Sequence, residues 1–177
     1  MPEKKQTRYA EGTTVSVPRT REEIEKTLMR YGATGFMYGE SGDTAAVAFE
    51  MQGRHIRLEL RYPPLSQFAR SKTVIRTQAQ QEAARAQEIR RLWRGLAMIV
   101  KAKLEAMKSG VITFEDAFGM SEVMPNGQRF ETWAEPQLEQ MRNTRQMPPL
   151  LPWVKPKRQA LTAAADYIEG EVRTDEE

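Results

Sequence analysis

TAAVAFEMQGRHIRLELR, residues 44–61, alternates apolar and polar side chains on both sides of a Gln52-Gly53 pair. A period of two marks a strand with one buried face, and a two-residue link ending in glycine between two such runs marks a hairpin. Val47, Phe49 and Met51 share a face with Ile56, Leu58 and Leu60, while His55, Arg57, Glu59 and Arg61 take the other. TGFMYGE, residues 34–40, reads as a further strand, joined through a turn at Ser41, Gly42 and Asp43. The expectation is a three-stranded antiparallel meander buried on one side.

On either side of the meander the period becomes helical. Upstream, TREEIEKTLMRYG (20–32) places Ile24, Leu28 and Tyr31 on one side, with Thr20 and Glu23 patterned as a capping box and Gly32 as the stop. Residues 1–18, ending at Pro18, read as a flexible N-terminal arm. Downstream, Pro63-Pro64 ends the sheet, and residues 65–77 read as a basic, flexible connector. A long amphipathic helix is expected from Ala79 to Ser109, packed across the sheet, with Gly110 as its stop. Thr113 and Asp116 cap a shorter helix, SEVMPNGQRF (121–130) turns at Asn126-Gly127, and a last helix covers residues 131–145. The fold class is therefore α+β, with a single domain over residues 19–145. Residues 146–177 form a proline-rich basic arm containing Trp153, a short helical piece and an acidic tail.

Composition bounds the chemistry. The chain of 177 residues is 40% hydrophobic and 29% charged, which suits one domain with appendages. It has no apolar run long enough for a membrane span and no apolar signal-peptide core, so a cytoplasmic location is expected. It contains no cysteine, which removes disulfides, thiolate catalysis and zinc ribbons. The single histidine, His55, lies on the polar strand face. There is no G-x-S-x-G elbow and no Walker A loop. Acidic pairs such as Glu22-Glu23 and Glu115-Asp116 fall at helix starts, where the helix dipole accounts for them. The expectation is a protein that is not an enzyme and needs no cofactor or metal.

The charge is unevenly spread. The net charge is +3, but the last eight residues hold four acids and one Arg, and without them 26 Lys/Arg stand against 20 Asp/Glu. Residues 70–108 hold ten Lys/Arg against three Glu. Such asymmetry points toward polyanions. Within RRLWRGLAMIVKAKLEAMKSG (90–110), a step of ~100° per residue gathers Ile89, Leu92, Trp93, Leu96, Ile99, Val100, Leu104 and Met107 into one apolar stripe. The same step brings Arg90, Arg94, Lys101 and Lys108 within about 40° of one another, on a separate line. That row is either a solubilising outer face or a ridge that contacts phosphates. Lys103 falls inside the apolar stripe, where it snorkels, finds a carboxylate, or faces a partner subunit or ligand. Arg54, Arg57 and Arg61 on the third strand offer a second cationic surface, and the two together would wall a cleft. Tyr38, Tyr62, Phe68 and Trp153 are available for base stacking.

RYAEGTTVSVPRTREEIEKTLMRYGATGF, LAMIVKAKLEAMKSGVITFEDAF and MPPLLP together resemble a family of uncharacterised small phage and prophage proteins. That resemblance covers nearly the whole chain and implies a viral setting in a bacterial cytoplasm, but no chemistry. The order of helix, three-stranded meander and long helix is similar to the core of single-strand annealing proteins. It implies a homo-oligomer holding DNA in a basic groove. Three functional readings follow. One is a non-catalytic phage protein that binds single-stranded nucleic acid in annealing or recombination. The second is an inhibitor of a host defence nuclease or immune complex, contacting that host protein through the acidic tail as a nucleic-acid mimic or through the Trp153 segment as an anchor. The third is a virion assembly protein.

Overall fold

A computed structural model describes residues 8–71 and 74–145. The expected proline-rich arm and short helical piece, with the acidic tail and Trp153, lie outside the described residues. The chain divides into a compact unit up to Ala134 and a second unit from Glu135 onward. In order, the elements are α1 (Val17–Arg30), β1 (Gly35–Ser41), β2 (Thr44–Met51), β3 (Arg54–Arg61), α2 (Gln78–Lys108), α3 (Phe114–Phe118) and α4 (Phe130–Thr144). A 3-10 turn, Leu65–Phe68, and a bridge between Arg70 and Ile75 lie in the segment joining β3 to α2.

The α+β meander expected from the sequence is the observed sheet, with order β1-β2-β3 and both pairings antiparallel. Gln52 and Gly53 both adopt positive φ, 55° and 71°, as a hairpin turn matched to the right-handed strand twist requires. Ala45, Val47, Phe49 and Met51 are buried, and their partners Leu60, Leu58, Ile56 and Arg54 share that face. Thr44, Ala46, Ala48 and Glu50 point to the other face with His55, Arg57, Glu59 and Arg61. The outer edge of β3 is covered: Val123 N–H donates to His55 O at 2.7 Å, and residues 123–129 turn back at Asn126-Gly127.

The helices lie on the buried face. α1 opens at Ser16, whose side chain accepts from Arg19 N, with Pro18 in the first turn where no N–H is needed. The capping box expected at Thr20 is therefore corrected. Thr20 is buried one turn inside the helix, its hydroxyl donating to Ser16 O at 3.1 Å. α2 starts at Thr77, which forms a capping box with Gln80, and ends ahead of Gly110 at φ 70°. The α1 and α2 axes run in the same direction, since Glu23 meets Arg94 and, further along both, Tyr31 meets Glu105.

One core joins the layers. It contains Ile24 and Leu28 from α1, Val47, Phe49 and Ile56 from the sheet, and Trp93, Val100 and Leu104 from α2. Phe118 of α3 meets Phe49 edge-on, ring centroids 5.4 Å apart. A polar chain crosses the core rim. Trp93 Nε1 donates to Tyr62 Oη at 2.8 Å, and Tyr62 Oη donates to Glu40 Oε1 at 2.6 Å. Arg21 donates to the same carboxylate while its guanidinium sits between the Tyr38 and Trp93 rings, 4.4 and 4.6 Å from their centroids. A buried indole N–H would be costly unpaired, and this chain supplies its acceptor.

Candidate nucleic-acid interface

The cations predicted from sequence fall into three environments. Arg90, Arg94, Lys101 and Lys108 lie on the side of α2 that borders α1. Arg90 donates to Gln87, which itself donates to Thr13 O in the segment preceding α1. Arg94 pairs with Glu23 of α1, and that carboxylate holds its guanidinium above the usual arginine range. Lys101 is exposed and makes no ion pair among the described residues. The Lys108 ammonium stands 5.7 Å from the centre of the Tyr31 ring.

The row was expected to stand clear of the core. It borders it instead, because the buried sector of α2 is rotated toward the cations. Ala97, on the same line as the row, is 7% exposed, whereas Ile99 is 48% exposed. A small side chain at 97 lets α1 approach, and α2 consequently packs against α1 as well as the sheet.

Arg54 and Lys103 have structural partners. Arg54 lies on the core-side face of β3 and bonds Glu115 at 2.8 Å, with Glu122 at 3.7 Å and the Phe114 ring 5.2 Å away. It ties the sheet to the start of α3. Lys103 Nζ donates to Ala117 O near the end of α3 and lies 5.2 Å from the Phe118 ring. Burial pulls its ammonium below the usual lysine range. Half-buried and without a carboxylate among the described residues, its ammonium satisfies a helix-end carbonyl.

Arg57 and Arg61 occupy the sheet face opposite the helices. Arg57 Nε is 3.1 Å from Glu59 Oε1, its Nη1 reaches Gly127 O at 3.4 Å, and Arg61 is exposed. The single cleft expected from the two basic surfaces does not form, since the sheet and the core separate them. Tyr62 is buried and is not available for stacking, while Tyr38 is half exposed beneath Arg21.

The helical face gains residues that the sequence did not single out. Arg19, Lys26 and Arg30 of α1 line a shallow groove together with Glu22 and Glu23. It shares Glu23 with a groove lined by Tyr9, Arg94 and Lys101, and Arg30 with another, of about 480 Å³, lined by Tyr31, Met107 and Lys108. Lys26 pairs with Glu22, and the Tyr31 hydroxyl donates to Glu105. Arg19, Arg30, Lys101 and Lys108 make no salt bridge among the described residues, although the charge of Arg19 still acts on Glu22. The α1 cations escape sequence reading because only the docking of two helices brings Arg30 into the groove of Lys108 and sets Arg19 and Lys26 on an adjoining one.

Comparison with family models, with curated proteins and with solved structures gives no match for this chain. Among the described residues, no helix is long and apolar enough to cross a membrane, and no cluster of three metal-ligating side chains occurs.

Proposed function

We propose that the chain is a non-catalytic protein of the bacterial host cytoplasm that binds single-stranded nucleic acid across the face formed by α1 and α2. The observation supporting this reading is that Arg30, Lys101 and Lys108 line adjoining grooves without a salt bridge among the described residues, with Arg19 on the same face. Tyr9, half exposed beside Lys101, and Tyr31, beneath Lys108, supply π surfaces next to the cations. Cations that follow a backbone beside aromatic rings suit a single strand better than a duplex, which hides its base faces. Arg57 and Arg61 belong to a second surface and play no part in this contact.

The test is fluorescence anisotropy with a labelled single-stranded oligonucleotide across a salt series. Four phosphate contacts predict a slope of log K against log[salt] of about −3 on a single strand. A flat salt response, or no binding at low ionic strength, would reduce these cations to a solvated helix face. A protein partner would then be the better reading.

A further inference from the structure

From the geometry of β1 we infer that the protein forms a two-fold dimer in which β1 pairs with β1 of a second copy, centred on Tyr38. The inference stands on the strand edge alone and is independent of any nucleic-acid contact.

β1 is an open edge. Among the described residues no strand or bridge pairs with its outer side, whereas the opposite edge of the sheet is covered by Val123. Ser41 and Thr44 close a two-residue turn, so Ser41, Gly39 and Met37 exchange backbone hydrogen bonds with β2. By the same alternation Phe36, Tyr38 and Glu40 turn their N–H and C=O groups outward. The parity holds across the sheet, because His55, an outward position of β3, is the residue whose carbonyl accepts from Val123. β1 is also regular over seven residues and contains no proline or lysine, the usual guards of an exposed edge.

A second copy fits this edge in one register. With Tyr38 opposite its own equivalent, the outward groups of Phe36, Tyr38 and Glu40 meet those of Glu40, Tyr38 and Phe36 in the other protomer. On the open face, Met37, which is 67% exposed, falls opposite Gly39. A side chain added at Gly39 meets nothing within 4 Å, so the space the thioether would fill is empty. Within the paired strands no like charges oppose each other, because Glu40 faces Phe36 and its carboxylate is already held by Arg21 and Tyr62; Arg21, stacked on Tyr38, is the cation nearest the axis. The axis is normal to the sheet, giving six continuous strands with both helical layers on one side.

The interface is one strand edge, at or below about 1,200 Å² of buried surface, so the dimer dissociates on dilution. Sedimentation of the full chain without nucleic acid is expected to show the mass doubling as concentration rises. Since the protein has no cysteine, single-cysteine variants report the register cleanly. In the dimer the Cα atoms of the paired Tyr38 residues lie about 5.5 Å apart, and those of Met37 and Gly39 about 4.5 Å, both within disulfide reach. Tyr38→Cys is expected to cross-link with itself under mild oxidation and Ser41→Cys is not. Mixed Met37→Cys and Gly39→Cys proteins are expected to cross-link to each other, but neither to itself. The mixing experiment leaves the stacking of Tyr38 and Arg21 intact and guards against a folding defect in Tyr38→Cys. A chain that stays monomeric at all concentrations, or cross-links that ignore this register, would overturn the inference.

Discussion

Glu23 of α1 and Arg94 of α2 form an ion pair across the seam between the two helices. The contact explains why the cationic row of α2 is not a free ridge. Its N-terminal half is engaged with α1 and the segment before it, while Lys101 and Lys108 remain outward. Glu23→Gln should release Arg94 to a ligand. We expect affinity for single-stranded DNA to rise about two- to fivefold at low salt, since one screening carboxylate is removed. The accompanying loss of stability should stay under about 1 kcal/mol, the usual worth of a surface pair. Anisotropy and thermal melts on the same preparation read both effects.

Tyr62 sits between Trp93 and Glu40, accepting from one and donating to the other. Tyr62→Phe strands the indole N–H in the core and should cost about 1–3 kcal/mol in denaturant unfolding. Burial, with the hydrogen bond to Glu40 second, raises the Tyr62 phenol above its ordinary value of 10.0. A raised pKa means that folding favours the protonated form. Its stabilising contribution is thus complete below about pH 10 and is lost as pH climbs toward the folded-state value. The variant should show a shallower alkaline fall in stability than the parent; equal slopes would remove Tyr62 from the account.

Lys103 should behave as a structural residue. Lys103→Ala removes both the donor to Ala117 O and the packing of the stem beside Phe118, and a loss of about 2 kcal/mol is expected. Nucleic-acid affinity should not change. A large fall in affinity with unchanged stability would return this lysine to the binding face.

Ala97→Leu probes the seam itself. Ala97 is buried where α1 and α2 approach, and extra methyl groups there should cost about 1–3 kcal/mol and part the helices. Thermal melting reports the cost. A neutral result would mean that the helices meet less closely than the buried Ala97 implies.

The sheet was legible because its period is strict: Ala45, Val47, Phe49 and Met51 alternate with polar or small residues, and Gln52-Gly53 allows only a tight reversal. The extent of α2 was legible from its apolar spacing and its glycine stop. Its rotation was not. Hydrophobicity alone placed Ile99 inside and gave Ala97 no weight, although an alanine marks close helix approach as surely as a leucine marks a core. The partners of Arg54 and Lys103 were hidden for a related reason. Glu115 and Ala117 reach them only through the docking of a five-residue helix whose position no local pattern encodes.

The most direct test compares two charge reversals, Lys101→Glu with Lys108→Glu on the helical face, and Arg57→Glu with Arg61→Glu on the open sheet face. Each double variant is titrated against a labelled single strand of about 40 nucleotides at low salt, where phosphate contacts dominate affinity. Circular dichroism establishes that both remain folded. The helical-face variant is expected to lose at least about tenfold in affinity, with a salt slope shallower by about 1.4, the share of two phosphate contacts. The sheet-face variant should bind nearly as the parent does. Equal losses, or a loss confined to the sheet-face variant, would contradict an interface on α1 and α2.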